Sequence, residues 1–253
     1  MVLIKTAKEI KTIKEAGFIL ARIMRELENL AEPGATTEYL NRAAEALILK
    51  YGAQPAFKGY EGFPATLCTS VNAQVVHAIP SDYRLKPGDL LSLDLGLKHK
   101  GFYADMAVSK IVGADCLAEP DFEASRLIKV CRKALKLAVK KARPGNTFGD
   151  VGNTIQRFVE GQGFQVVRDL CGHGIGRKLH EEPKILNYGK RRTGETIKAG
   201  MVFCLEPMIT AGDWRLKKGK DGFSFETRDG SLSAHFEHTI AVLEKGAEIL
   251  TKI

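Results

Sequence analysis

The sequence predicts an α+β fold of two pseudo-twofold halves, with a curved antiparallel sheet and helices on its outer face. Three observations carry this prediction. Pro33-Gly34-Ala35-Thr36 is matched by Pro144-Gly145-Asn146-Thr147 at an offset of 111 residues (144 − 33), and Gly52 meets Gly163 at the same offset. Each Pro-Gly-x-Thr stands between a long amphipathic stretch and a second helical one. Each helix pair is followed by strand-like runs, the order expected of two αα-β halves packed on one sheet.

The first helix is expected over residues 7–31, where Thr6 with Glu9 three residues later reads as a capping box. Pro33-Gly34 closes it, and Thr36 is the N-cap of a second helix over 37–51. The second half repeats the pattern, with helices over 121–143 and 148–161 and Thr147 as N-cap. Between the helix pairs, Leu91, Leu93, Leu95 and Leu97 alternate with Ser92, Asp94 and Gly96, the period of a half-buried strand. Lys98-His99-Lys100-Gly101 reads as a turn, and residues 102–112 as the returning strand. Pairing Lys98 with Gly101 puts Asp94 opposite Asp105. Cross-strand partners have Cβ atoms about 4.5–5.5 Å apart, and like charges placed there destabilise a sheet. Two aspartates held this way call for a cation between them.

Three more candidate ligands follow. His173 lies among three glycines in Cys171-Gly172-His173-Gly174-Ile175-Gly176, which let the backbone approach closely. His180 comes seven residues later, before Glu181-Glu182-Pro183. Glu206 ends the apolar run from Met201 and is closed by Pro207, and Glu237 sits in Ala234-His235-Phe236-Glu237-His238-Thr239-Ile240. An acid in either run is rarely buried without a partner. Asp94, Asp105, His173, Glu206 and Glu237 form a hard, oxygen-rich set that suits clustered divalent ions better than one structural zinc. Both halves contribute, so the centre is expected where they meet.

Composition bounds the rest. A chain of 253 residues fits one domain of the larger kind. It has no long apolar run, so no membrane span is expected, and its first residues lack the apolar stretch of a secretory signal. Five cysteines (Cys68, Cys116, Cys131, Cys171, Cys204) without CxxC spacing argue for free thiols in a reducing compartment, hence a cytoplasmic protein. The net charge is +8, with basic clusters at 133–143, at Lys190-Arg191-Arg192 and around Arg215, Lys217, Lys218 and Lys220. These are solvated faces first, and a weak attraction to nucleic acid second.

Several motifs, in order, resemble type I methionine aminopeptidase. They are Val75-Val76-His77-Ala78-Ile79-Pro80, the Asp94/Asp105 hairpin, Gly172-His173-Gly174-Ile175-Gly176, His180-Glu181-Glu182-Pro183, Glu206-Pro207-Met208, and Ser231 through Thr239. The resemblance spans essentially the whole chain and implies the pita-bread fold over one catalytic domain, residues 1–253. It implies removal of the initiator methionine from nascent polypeptides when the second residue is small, by water activated at two divalent ions (Co, Mn, Fe or Zn). Asp94 and Asp105 would hold one ion, Asp105 and Glu237 would bridge, and His173 with Glu206 would complete the second site. Glu206 would be the general base, His180 would stabilise the oxyanion, and His77 would bind the backbone after methionine. The methionine pocket would include Tyr60, Phe63, Cys68, Leu179 and Phe223, with Phe57 nearby. Leu179 and Phe223 depart from the usual Phe and Trp, Phe57 from a small residue or Cys, and Ala78 from Gly. The resemblance also implies a monomer near the ribosome, where basic patches would meet ribosomal RNA weakly.

Three other readings stay open on sequence alone. Proline-specific exopeptidases share the fold and ligands but typically carry an extra N-terminal domain, for which this chain has no room. A metal-free binding relative would have lost ligands, and a basic nucleic-acid-binding protein would leave five convergent ligands unexplained.

Overall fold

The computed structural model of the chain describes residues 2–114 and 122–253. Asp121, expected to open the third helix, and Cys116 lie outside the described residues. The first half comprises helices α1 (Ala7–Leu30) and α2 (Thr37–Lys50), then strands β1 (Gln54–Pro55), β2 (Leu67–Val71), β3 (Gln74–Val76), β4 (Leu90–His99) and β5 (Phe102–Ile111). The second half has α3 (Phe122–Lys141) and α4 (Phe148–Glu160), then β6 (Gln165–Val166), β7 (Cys171–Gly174), β8 (Glu181–Leu186), β9 (Val202–Leu205) and β10 (Met208–Thr210). It closes with β11 (Leu216–Lys218), β12 (Phe225–Thr227), β13 (Ser233–His235), β14 (Glu237–Leu243) and β15 (Gly246–Ile249).

The helix boundaries follow from their caps. Thr6 accepts from the Glu9 N–H while Glu9 accepts from the Thr6 N–H, closing the capping box. Thr36 caps α2 through the Tyr39 N–H, and Thr147 forms a second capping box with Asp150. The sequence repeat is a structural repeat. Gly34 and Gly145 both turn the chain with positive φ (88° and 87°), a conformation costly for residues with a Cβ. Gly34 N–H donates to Leu85 O and Gly145 N–H to Ile197 O; Leu85 N–H donates back to Ala35 O and Ile197 N–H to Asn146 O. Each repeat thus ties its helix pair to the chain just ahead of a main-sheet strand, β4 in the first half and β9 in the second.

The main sheet runs β1-β4-β5-β14-β9-β7-β8, all antiparallel, with β2 on β4 and β15 on β14. α1 packs on β4 and β5, while α3 packs on strands of the second half. Leu91, Leu93, Leu95 and Leu97 of β4 join Leu20, Met24 and Leu27 of α1 in one buried core. Their neighbours Ser92, Asp94 and Gly96 therefore face the opposite, concave side.

The hairpin register differs from the sequence expectation. His99 pairs with Phe102, so Asp94 stands opposite Ala107, and Asp105 opposite Gly96. The reason is the turn. Lys100 and Gly101 both have positive φ (48° and 85°), as a two-residue type I′ loop requires. Moving the loop by one position slides partners by two, which preserves the face. Asp94 and Asp105 remain on the concave side but are diagonal neighbours, with a wider spacing of roughly 7–8 Å that is somewhat less between Cβ atoms. That gap can admit an ion between the carboxylates.

Gly17 of α1 meets the chain end, where an added Cβ would lie 2.5 Å from Leu250 O and 2.7 Å from its carbonyl carbon. Gly17→Ala gains about 1 kcal/mol of helix propensity, but overpacking against rigid backbone costs about 1–3 kcal/mol. Packing should win, and Tm should fall in a thermal melt; an unchanged or higher Tm would show that α1 can move away from Leu250.

Candidate metal centre

The seam between the halves is the β5–β14 pair, and the centre lies on its concave face. Asp94 and Glu237 both stand opposite Ala107, from the two sides. Cys68 stands opposite Asp94 in turn. Cys68, Asp94, Ala107 and Glu237 therefore form one row across four strands, and small Ala107 leaves space between the acids. Beyond Met106↔His238 the ladder gives way to a side chain. The Thr239 hydroxyl accepts from the Asp105 N–H at 2.9 Å and donates to the Asp105 carbonyl at 2.8 Å. This fixes Asp105 beside the row.

His173 arrives from β7 through a register irregularity between His173 and Gly174, a device that re-aims a side chain. The flanking glycines are needed for close approach. A Cβ on Gly172 would lie 2.5 Å from Cys204 O, and one on Gly174 would collide with the Glu182 carbonyl. His173 Nδ1 is 2.9 Å from Gly174 O, which leaves Nε2 free to accept, 3.5 Å from Glu206 Oε1. Glu206 follows β9, its carbonyl held by the Asn187 amide.

Three donor groups, each with ligand atoms within 4.8 Å of one another, converge here: Asp94/Asp105/Glu237, Glu206/His235/Glu237 and His173/Cys204/Glu237. Asp94, Asp105 and Glu237 are buried at 8%, 3% and 2% exposure. Among the described residues the carboxylates' ion-pair partners are histidines only. Among the described residues, eight buried side-chain polar atoms lack a hydrogen-bond partner, and five of them belong to Asp94, Glu206, Glu237 and His235. Orphaned carboxylate oxygens at such a density fit divalent cations. Desolvation raises Asp94, Glu206 and Glu237 well above the usual carboxylate range, and the neighbouring Asp105 charge raises them further. Asp105 is raised by the same burial. Burial lowers His173 to about 3, so its imidazole is neutral and able to ligate.

The centre opens into a cavity of about 1140 Å³ whose lining includes all the expected site residues. His180 precedes β8, with its ring centroid 4.3 Å from that of His173 and its Nδ1 2.9 Å from the Tyr60 hydroxyl. His77 follows β3 with positive φ (59°), its ring edge-on to Phe225. Phe63 and Phe223 meet edge-to-face at 5.6 Å beside Cys68, while Leu179 and Tyr60 belong to a second apolar cluster. Phe57 touches both clusters, and Gly96 gives it room, since a Cβ there would be 2.6 Å from its ring. Cys68, Cys131, Cys171 and Cys204 are free thiols. The sequence reading gave no role to His235 or Thr239. The alternation that places His235 two residues before Glu237 was the available signal.

A family model for metallopeptidase family M24 matches residues 11–244. A methionine aminopeptidase of Clostridium perfringens is 45% identical over 253 residues, 100% of both chains. The crystal structure of methionine aminopeptidase from Thermotoga maritima has a TM-score of 0.96 at 44% identity, covering 100% of each chain. The fold extends to a prolidase from Pyrococcus furiosus, with a TM-score of 0.76 at 25% identity, covering 99% of this chain and 65% of that one. The chain therefore belongs to metallopeptidase family M24 and, within it, to the methionine aminopeptidases, with their pita-bread fold. Family and donor set agree on the use of divalent metal.

The raised carboxylate pKa values have a pH signature. In metal-free protein these acids hold protons that the unfolded chain has lost, so their stability contribution is complete below the unfolded carboxylate range and is lost as pH rises through the folded values. Burial holds His77, His173, His235 and His238 neutral, down at about 3 to 4, and this opposes the loss below the unfolded histidine value of about 6.5; metal-free protein should therefore lose stability as pH climbs above about 6.5. Divalent metal should restore it and release protons on binding. Chelated and metal-loaded melts across pH, with proton release in weak buffer, check this; a chelated protein whose stability rises over that range would contradict it.

Proposed function

We propose that this chain is a divalent-metal-dependent methionyl aminopeptidase that removes the first methionine of nascent polypeptides when the second residue is small. One observation carries the reading: a buried four-carboxylate, one-imidazole cluster shares a cavity with an apolar pocket. Full-length relatives named methionine aminopeptidase point the same way. Residues 1–253 act as one catalytic unit.

Asp94 and Asp105 would hold one ion, His173 and Glu206 would hold a second, and Asp105 and Glu237 would be shared between them. Glu237 belongs to all three donor groups, which supports its bridging place. The donors suit Co, Mn, Fe or Zn. When bound, divalent ions polarise the scissile carbonyl and acidify water. Glu206 takes the proton that the water loses. The Tyr60 hydroxyl lies 2.9 Å from His180 Nδ1, and with the hydroxyl as donor the imidazole proton would sit on Nε2. His180 donates that proton in a hydrogen bond to the carbonyl oxygen as it becomes negative. Partial desolvation lowers the His180 pKa, so it acts as a neutral donor. His77 binds the backbone of the second residue. Tyr60, Phe63, Cys68, Leu179 and Phe223 receive the methionine side chain.

No helix among the described residues is long and apolar enough to cross a membrane. The protein works as a cytoplasmic monomer, and its basic clusters attract ribosomal RNA weakly and in a salt-sensitive way.

Release of Met from Met-Ala-Ser, lost on chelation and restored by divalent metal, tests the reading. Cleavage confined to Xaa-Pro peptides would favour the prolidase branch instead. His180→Ala should keep its metal and lower kcat about 10²–10³-fold with little change in KM; metal loss as severe as in His173→Ala would make His180 a ligand. Tyr60→Phe should show a smaller loss of the same kind. Phe223→Ala removes an aromatic wall, so KM for methionyl peptides should rise more than kcat falls; an unchanged KM would place Phe223 outside the pocket.

A further inference from the structure

His235 is an imidazole at this centre that the proposed mechanism does not use. It is 1% exposed, and neither ring nitrogen has a hydrogen-bond partner. Buried imidazoles of the ordinary packed kind find partners for their polar atoms. The backbone of His235 is rigidly held: its N–H donates to Ser109 Oγ at 2.9 Å, and that hydroxyl donates to its carbonyl at 2.8 Å. Ser109 Oγ is in turn 2.7 Å from Ser92 Oγ. His235 also pairs with Met208, two residues beyond Glu206. The backbone that carries the ring is thus held by β5 on one side and β10 on the other.

Its Nε2 lies 4.0 Å from Glu206 Oε2 and 3.9 Å from Glu237 Oε2. These distances are too long for hydrogen bonds. They are also nearly equal, whereas an N–H donor would settle on one carboxylate. Two donors held about 2.0–2.2 Å from one ion stand roughly 3–3.4 Å apart at tetrahedral or octahedral angles. Shortening each gap by roughly 0.5–1 Å lets His235 Nε2 share an ion with that carboxylate oxygen. The His173 Nε2–Glu206 Oε1 separation of 3.5 Å is of the same kind. Glu206 is flanked by one imidazole on each carboxylate oxygen.

We propose that His235 is a further metal ligand of this centre, binding through Nε2 beside Glu206 and Glu237. The assignment rests on the metal-dependent reading above and extends it. The centre then carries two imidazoles, His173 and His235. Imidazole suits zinc and cobalt, whereas an oxygen set suits manganese and magnesium. This chain should therefore favour zinc and cobalt over manganese more strongly than its other five ligands alone would.

The test uses the full chain, stripped of metal and reloaded with cobalt(II). A ligating imidazole bound through Nε2 keeps an Nδ1–H, which gives a solvent-exchangeable, hyperfine-shifted proton resonance. Wild type should show two such signals and His235→Gln one. In competition titrations His235→Gln should lose about 100-fold or more in zinc affinity, at or beyond the top of the range for outer-shell partners, and less than tenfold for manganese. One signal in wild type, or two that persist in His235→Gln, overturns the assignment. Equal losses for both metals would make His235 a positioning residue and also overturn it. If His235→Gln fails to fold, judged by circular dichroism of the chelated protein, the wild-type signal count decides. Asp105→Asn separates the two levels. Wild type that binds no metal, or no better than Asp105→Asn, overturns the metallopeptidase reading itself; metal-binding wild type with one signal overturns only the role of His235.

Discussion

Buried negative charge without an internal counter-charge is the constraint on which this structure depends. Four carboxylates converge on the seam, three of them almost fully buried, and no lysine or arginine among the described residues pairs with them. Two like charges 4 Å apart repel by about 4 kcal/mol at an effective dielectric of 20, and stripping water from each costs several kcal/mol more. The cluster must take up protons or bind cations. The metal-free fold does the first, as the raised pKa values show, and divalent metal does the second.

The halves share a backbone plan but divide the chemistry. The turns at Gly34 and Gly145 make matching hydrogen bonds to Leu85 and Ile197. The first half delivers two aspartates from one hairpin; the second delivers His173 from β7, Glu206 from just past β9 and Glu237 from β14. Neither half has a complete donor set. The β5–β14 pair, joined at Asp105 by the Thr239 hydroxyl, is where two incomplete sets become one.

The loop that carries His180 is held from outside the centre. Buried Lys5 pairs with Glu181, whose other oxygen accepts from the Arg177 and Lys178 backbone N–H groups. Lys5 N–H donates to Gly200 O. Arg177 also pairs with Glu9, whose carboxyl is held down at about 2 by the Thr6 N–H first and by Arg177 second. The segment before α1 thus positions the His180 loop, while Tyr60 orients the ring itself.

Helix caps, the strand alternation around Asp94 and the internal repeat are local or periodic, so the sequence by itself determined them. Thr6, Thr36 and Thr147 cap where their spacing says. Even the misplaced hairpin register kept both aspartates on the correct face, because a two-residue slide preserves alternation. Motif order carried the family likeness, and the donor types carried the expectation of metal. The tertiary structure decided what depends on long-range pairing. The diagonal placing of Asp94 and Asp105 came from positive φ at Lys100 and Gly101, and no side-chain pattern encodes that. The meeting of His235 with Glu206 required β13 to pair with β10 across more than twenty residues of intervening chain. A sequence records which donors exist; only the pairing of distant strands decides which of them share an ion.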